Sequence, residues 1–240
     1  MKIVVVGYGT MGKLLVEEIK RRPSLTLIGV VAIEEGCFHS FDDLPEKPDM
    51  IIDFSSPIML GEIFEYVRKE KVKVIFGTTG YTEEDLTRIA FLGTKTAVLQ
   101  AYNFSLGVAI LNKLADIITP IVKESFDVEI IEKHHNKKVD SPSGTANMLL
   151  NTINSHLKYE PIYGRKGESK RGKEIGVHSI RGGTITGEHS VIYAGLDEVI
   201  EIKHEAHSKM IFINGALAAA KFLEGKELGL YHMRDVLSIK

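Results

Sequence analysis

The sequence contains no tryptophan, one cysteine and 7 prolines in 240 residues. The single thiol, Cys37, excludes an internal disulfide framework, so the fold must rest on buried apolar surface, which a chain of this length can supply in one or two lobes. Lys and Arg total 30 against 32 Asp and Glu, a formal charge of -2. Neither nucleic acid nor an anionic membrane is therefore an expected partner. Apolar runs fall short of the roughly 20 residues that span a bilayer, and the strongest, residues 210–223, is interrupted by Asn214, Gly215 and Lys221. The chain opens on an apolar strand pattern, without the charged, apolar and small-residue order of a secretion signal, so a reducing cytoplasm is the expected location. Internal repeats and low-complexity tracts are also missing, which removes solenoid readings.

What is present begins with residues 3–6, an apolar β-branched run, followed by Gly7-Tyr8-Gly9-Thr10-Met11-Gly12 and then by Leu14, Leu15 and Ile19 at helical spacing. The pattern predicts strand, glycine turn and helix. In such a turn the first glycine permits the reversal, the second lets the backbone approach a pyrophosphate, and the third lets the helix pack on the strand. The helix N-terminus supplies unpaired N–H groups to the phosphates. A second apolar run, residues 25–33, ends in Glu34-Glu35, and Glu34 follows Gly12 at about the ~20-residue spacing at which a carboxylate meets the adenine ribose hydroxyls. A 2'-phosphate would favour a guanidinium, and the neighbour here is Glu35, which tilts the cofactor toward NADH over NADPH. The alternative is that Glu34 and Glu35 form only a solvated turn.

Residues 50–54, 72–76 and 97–99 read as further strands. Ile63, Phe64 and Val67 mark one intervening helix and residues 82–92 another, while the crossover between the second and third strands is too short for a full helix. Alternation of this kind implies a parallel sheet whose ligands bind beyond the carboxyl ends of its strands. Gly77-Thr78-Thr79-Gly80 and Ala101-Tyr102-Asn103-Phe104 fall at such ends and are candidates for the nicotinamide end of the cofactor, against the plainer reading of ordinary βα turns. A helical pattern over residues 106–122 leads out of this lobe. Beyond it Val128 and Ile130 recur at strand period, residues 146–157 read as a helix, and residues 177–180, 190–193 and 199–203 read as strands of a mixed or mostly antiparallel sheet. Residues 164–172, rich in Gly, Lys and Arg, read as a solvated loop. The Ala-rich helix over residues 215–223 is expected to return to the first lobe. The expected fold is α/β: a Rossmann-type dinucleotide-binding lobe with a parallel sheet (residues 1–105 and 213–240) and an α+β substrate-binding and oligomerisation lobe (residues 106–212).

The chemistry concentrates between Glu132 and Thr145, where His134, His135 and Lys138 precede Ser143-Gly144-Thr145 at the start of a predicted helix. Imidazole exchanges protons near neutral pH, ammonium holds carboxylates, and a helix N-terminus favours anions. Together they point to an anionic substrate. One buried and one solvated histidine is the competing structural reading. A metal site is not expected, because adjacent histidines on a strand face opposite ways and no histidine pair stands four apart on a helix. Cys37 lacks the neighbours of a catalytic thiol.

His134-His135 with Lys138-Val-Asp-Ser-Pro-Ser-Gly144-Thr145 is the specific part of a longer set that includes the glycine turn, Asp53-Phe54-Ser55, Gly77-Thr78-Thr79-Gly80, Asn103-Phe104-Ser105, Ser179-Ile-Arg181-Gly182-Gly183 and Gly187-Glu188-His189. The chain resembles the dihydrodipicolinate reductase family over nearly its whole length. The resemblance implies NAD(P)H-dependent reduction of a cyclic dicarboxylate in the diaminopimelate route of lysine synthesis, by a homotetramer. It implies His134 as the acid/base residue and Lys138 as proton donor or carboxylate anchor, with His135, Lys138, Gly144 and Thr145 on the substrate. Two other readings remain: a different two-lobed NAD(P)-dependent oxidoreductase, and a dinucleotide-binding sensor without turnover.

Overall fold

The computed structural model describes residues 1–237, which divide into two compact units, residues 1–106 with the described residues from 210 onward, and residues 107–209. In the first, β1 (Lys2–Val6), α1 (Thr10–Arg21), β2 (Thr26–Val31), β3 (Met50–Asp53), α2 (Leu60–Glu70), β4 (Lys73–Phe76), α3 (Glu83–Leu92) and β5 (Ala97–Gln100) alternate as the apolar periods require. Between β2 and β3 there is only a single 3-10 turn at Phe41–Asp43, as the short crossover predicts. A Thr82–Asp85 capping box starts α3 by satisfying two backbone donors reciprocally.

The linking helix α4 (Leu106–Val122) begins at the boundary, and the second unit continues with β6 (Asp127–His134), α5 (Gly144–Leu157), β7 (Glu160–Tyr163), β8 (Glu174–Arg181), β9 (Glu188–Ala194) and β10 (Val199–Glu205). The chain then returns to the first unit as α6 (Met210–Glu224), β11 (Gly229–Tyr231) and α7 (Met233–Val236). Helix α6 packs on β4 and β5, and Gly215 admits the backbone there: a Cβ on it would stand 1.7 Å from the carbonyl oxygen of Phe104.

The first sheet runs β11-β5-β4-β3-β1-β2 with every pairing parallel. Both its faces are covered, and its central strands β1 and β3 are apolar almost throughout, as a doubly covered parallel sheet demands. The second sheet is mixed, in the order β10-β9-β6-β8-β7, with β6 antiparallel to β9 and parallel to β8. Helices α4 and α5 cover one face, where Leu111, Leu149 and Ile153 pack on Val128, Ile130, Val177 and Val191.

Two strands escape the sequence patterns. Strand β7 contains Pro161, tolerated because the strand lies on the sheet edge, and β11 is only 3 residues long and defined by its pairing with β5. The Gly/Lys/Arg-rich loop is also more than a solvated run. Arg171 reaches back to the carboxylates of Glu129 and Asp127 and to the Val128 carbonyl oxygen, fastening the loop to β6.

Candidate active site

In the first unit the glycine turn sits at the carboxyl end of β1. Gly7 has φ +89°, and a Cβ on it would lie 2.7 Å from the Phe54 carbonyl oxygen. Around Gly9 no atom stands within 4 Å of an added Cβ, so the backbone there can be approached closely. Helix α1 starts without a side-chain cap and without an acidic residue in its first turn, leaving its N–H groups free to meet an anion. These features fit a dinucleotide diphosphate. Lys13 stands 5.3 Å from the Tyr8 ring centroid at the same end of the helix. Glu34 is exposed in the loop after β2, a position that suits a ribose contact.

The turns after β3 and β4 are tied by Asp53, which is fully buried. Its carboxylate accepts hydrogen bonds from the Ser55 hydroxyl, the Ser55 N–H at 3.1 Å and the Tyr81 hydroxyl at 2.9 Å. Burial raises its pKa against these donors, and burial together with the Asp53 charge pushes the Tyr81 phenol up. Thr78 is buried and its hydroxyl accepts from the Ser55 N–H at 3.0 Å, so it braces the turn. Gly77 leaves room for the Phe54 ring, 2.4 Å from where a Cβ would stand. Thr79 follows exposed after Thr78, near the exposed Gly80. In the turn after β5, Tyr102 is exposed and Asn103 accepts from the Ser105 N–H at 2.8 Å. Ala101 and Phe104 are buried, and the Phe104 ring packs edge-on against Phe54. Whatever these two give a ligand is backbone.

In the second unit the strand period places Val128, Ile130, Glu132 and His134 on the face of β6 that meets the helices. The first two join the core. Glu132 is fully buried at its edge, where pairing sets Ser179 on one side and His189 on the other, with Arg181 beside His134 in the next register. Arg181 donates to both Glu132 oxygens, at 2.8 Å and 2.7 Å, in a fork-to-fork pair. The Ser143 N–H donates to the same carboxylate at 3.1 Å, and His134 Nδ1 lies 2.6 Å from Oε2. Burial opposes ionisation of Glu132, but Arg181, Ser179, His134 and the Ser143 N–H outweigh it and hold the pKa at about 2. It is a carboxylate.

Burial draws the His134 pKa below its ordinary value, Glu132 pulls it back up, and Lys138 and Arg181 lower it again. His189 is buried, its ring centroid 5.1 Å from that of His134, and its Nε2 lies 3.0 Å from the Ser143 hydroxyl. Burial and the nearby His134 lower its pKa to about 4, so it is neutral at pH 7.

From His134 the chain turns through Asn136, whose N–H donates to the Gly183 carbonyl, and brings Lys138 Nζ to 2.8 Å from Asp140. His135 is half-buried, with its Nδ1 enclosed. Ser143 caps α5 by accepting from the Ala146 N–H, so Gly144 and Thr145 occupy the first helical positions. No acidic residue stands in that turn. Thus the loop from β6 to α5 carries imidazole and ammonium groups at one end and helix-start N–H groups at the other, a set suited to protonating and holding an anion.

Comparison with known proteins names the family. Residues 1–104 match the family model "Dihydrodipicolinate reductase, N-terminus" and residues 107–237 match "Dihydrodipicolinate reductase, C-terminus". The chain belongs to the dihydrodipicolinate reductase family. The 4-hydroxy-tetrahydrodipicolinate reductase of Brachyspira hyodysenteriae is 44% identical over 242 residues, covering 99% of this chain and 100% of the relative. That of Exiguobacterium sibiricum is 41% identical, covering 98% and 96%. The dipicolinate-bound dihydrodipicolinate reductase from Paenisporosarcina sp. TG-14 shares the fold, with a TM-score of 0.78 over 97% of each chain at 22% identity. The resemblance carried by the His134-His135 and Lys138 run is borne out at the level of family.

Within this family member the sequence motifs left Glu132, Arg181 and His189 without a role and gave Ser143 only a place at the helix start. A signal for Glu132 was available, since strand period places a carboxylate on the apolar face beside His134. Its partners Arg181 and Ser179 come from β8 and Ser143 from the cap of α5, which only pairing and packing reveal. Glu132, His134 and His189 place donor atoms within 4.8 Å of one another, a grouping drawn from two strands rather than from adjacent or helical histidines. The Arg181 guanidinium on both carboxylate oxygens opposes a cation there.

Proposed function

We propose that this chain reduces 4-hydroxy-tetrahydrodipicolinate, a cyclic dicarboxylate, to tetrahydrodipicolinate with loss of water, in the diaminopimelate route of lysine synthesis. The observation that carries the reading is the full-length family match joined to the position of its specific residues. His134 ends β6, and Gly144 and Thr145 begin α5, so the two parts of the motif flank one loop.

A reduced pyridine nucleotide, when bound, supplies the hydride. The glycine turn from Gly7 to Gly12 would hold its diphosphate, Glu34 its ribose, and the turns at Gly77–Thr79 and 101–104 its other end. Glu34 and Glu35 favour NADH over NADPH. Loss of the 4-hydroxyl as water gives a conjugated imine, and uptake of hydride by that imine leaves an electron pair that must take a proton. His134, with Nδ1 engaged by Glu132, has Nε2 for that transfer. Lys138, His135 and the N–H groups of Gly144 and Thr145 neutralise and orient the two carboxylates, with Lys138 the second candidate donor.

The open face of the second sheet supports assembly as a homotetramer. Opposite α4 and α5 it carries the exposed Ile180 and Val199 beside the Lys133–Glu188–Lys203 ion pairs, a mixed surface of the kind buried between subunits. Light scattering should give four times the chain mass. The half-buried single Cys37 suits a reducing cytoplasm.

The deciding assay follows NADH absorbance with dihydrodipicolinate made in situ by the preceding synthase, repeated with NADPH. Substrate-dependent oxidation with a higher kcat/KM for NADH is expected. Binding of NADH without oxidation would turn the reading to a sensor.

A further inference from the structure

We infer that Glu132, clamped by Arg181, is a positioning residue that fixes the orientation and tautomer of His134. The inference rests on the reductase reading given above. A carboxylate only accepts hydrogen bonds, so the 2.6 Å contact between Glu132 Oε2 and His134 Nδ1 requires the proton on Nδ1. The remaining nitrogen, Nε2, is then the one that gains and loses the transferable proton. Glu132 itself cannot rotate away, because Arg181 holds both of its oxygens and the Ser143 N–H holds Oε1. Arg181 is anchored in turn by the Asp140 carbonyl oxygen at 2.6 Å, so the clamp joins β6, β8 and the loop that carries Lys138.

The groups that face His134 are few. Glu132 comes from its own strand, Arg181 from β8, His189 from β9, and Lys138, paired with Asp140, from the loop. Of these, Glu132 is the anion in direct contact with the ring. On the Nε2 side stands Gly187, where an added Cβ would approach to 3.2 Å, so a side chain there would crowd the nitrogen that exchanges the proton. A buried Glu132–Arg181 pair serving stability alone would need no imidazole on its outer oxygen. The arrangement has the logic of a carboxylate that orients a catalytic histidine and stabilises its cationic form.

The test is a double-mutant cycle of Glu132→Gln and His134→Gln in the full chain, read by steady-state turnover and by histidine-selective NMR titration, with thermal midpoints as the folding control. Glu132→Gln should lower kcat roughly 10- to 100-fold while leaving KM within about twofold, a part of the span that general acid–base catalysis contributes. On the His134→Gln background it should cost less than about twofold more. The NMR midpoint of His134, assigned by the signal missing from His134→Gln, should move to lower pH in Glu132→Gln, and the basic limb of the kcat profile should move with it. An equal loss of turnover in both backgrounds, or an unmoved midpoint, overturns the inference. Should the orphaned guanidinium prevent folding of Glu132→Gln, the double variant Glu132→Gln/Arg181→Met removes both charges and is read against Arg181→Met alone, which carries the same loss of the guanidinium beside His134. Failure of the reductase reading looks different: the wild-type chain would not oxidise NADH with this substrate, while the NMR midpoint would still decide whether Glu132 controls His134.

Discussion

A Cβ placed on Gly12 would lie 2.0 Å from the carbonyl oxygen of Gly7, whereas one placed on Gly9 would meet nothing within 4 Å. Two glycines of one turn therefore answer to different demands: packing of α1 against the end of β1 requires the first, and the second, with open space around it, is the one the proposed function gives to the diphosphate. Gly12→Ala should destabilise the first unit by about 1–3 kcal/mol, since the obstructing atom is backbone. Gly9→Ala should stay within about 1 kcal/mol of wild type, the cost of a poorer helix cap. It should nevertheless weaken NADH binding more than tenfold. Thermal melts paired with NADH fluorescence titrations separate the two effects, and wild-type affinity in Gly9→Ala would remove the diphosphate from this turn.

Acid should destabilise the second unit in two overlapping steps. Folded His189 has a pKa near 4 against an ordinary 6.5, and folded Glu132 one near 2 against 4.5. Both groups bind protons less readily folded than unfolded, so each contributes stability that is present above its ordinary pKa and lost as pH falls through the folded value. The windows are 6.5 down to 4 for His189 and 4.5 down to 2 for Glu132, each worth on the order of 3 kcal/mol. Urea denaturation at a series of pH values measures both. His189→Gln should flatten the upper step and leave the lower one.

Arg171 should matter although it lies in a loop of charged residues. Its guanidinium stands 3.0 Å from the Asp127 carboxylate, pairs with Glu129 and donates to the Val128 carbonyl at 3.1 Å. Arg171→Ala is expected to cost about 1–2 kcal/mol, a figure reduced for the partial exposure of the pair. Arg171→Lys should not restore the loss, because an ammonium cannot span three acceptors in one plane. Equal stability of the lysine variant and wild type would return the loop to a solvated role.

Tyr81→Phe removes a donor from the fully buried Asp53 carboxylate. The expected loss is about 1–3 kcal/mol at neutral pH. Asp53 already has a raised pKa, so its stabilising contribution is present in acid and is lost as pH rises. Losing the Tyr81 donor raises the pKa further, and the deficit of Tyr81→Phe should therefore shrink at low pH. A deficit independent of pH would show that the phenol matters for packing alone.

The sequence by itself determined the alternation of strand and helix, the glycine turn, and the loop holding His134, His135, Lys138, Gly144 and Thr145, because each is written in local period or in adjacent residues. It also determined the family, through a motif too specific to arise from turn chemistry. Tertiary structure decided the rest. Pro161 in β7 and the 3-residue β11 gain strand character only from the neighbours they pair with. Arg171 changes from solvated charge to anchor because β6 presents Glu129 to it. Glu132 shows the division most clearly. Its position on the apolar face of β6 follows from the alternation of side chains along a strand. Its ionisation and its hold on His134 depend on Arg181 and Ser179 from β8 and the Ser143 N–H at the cap of α5, which only sheet register and helix packing bring together.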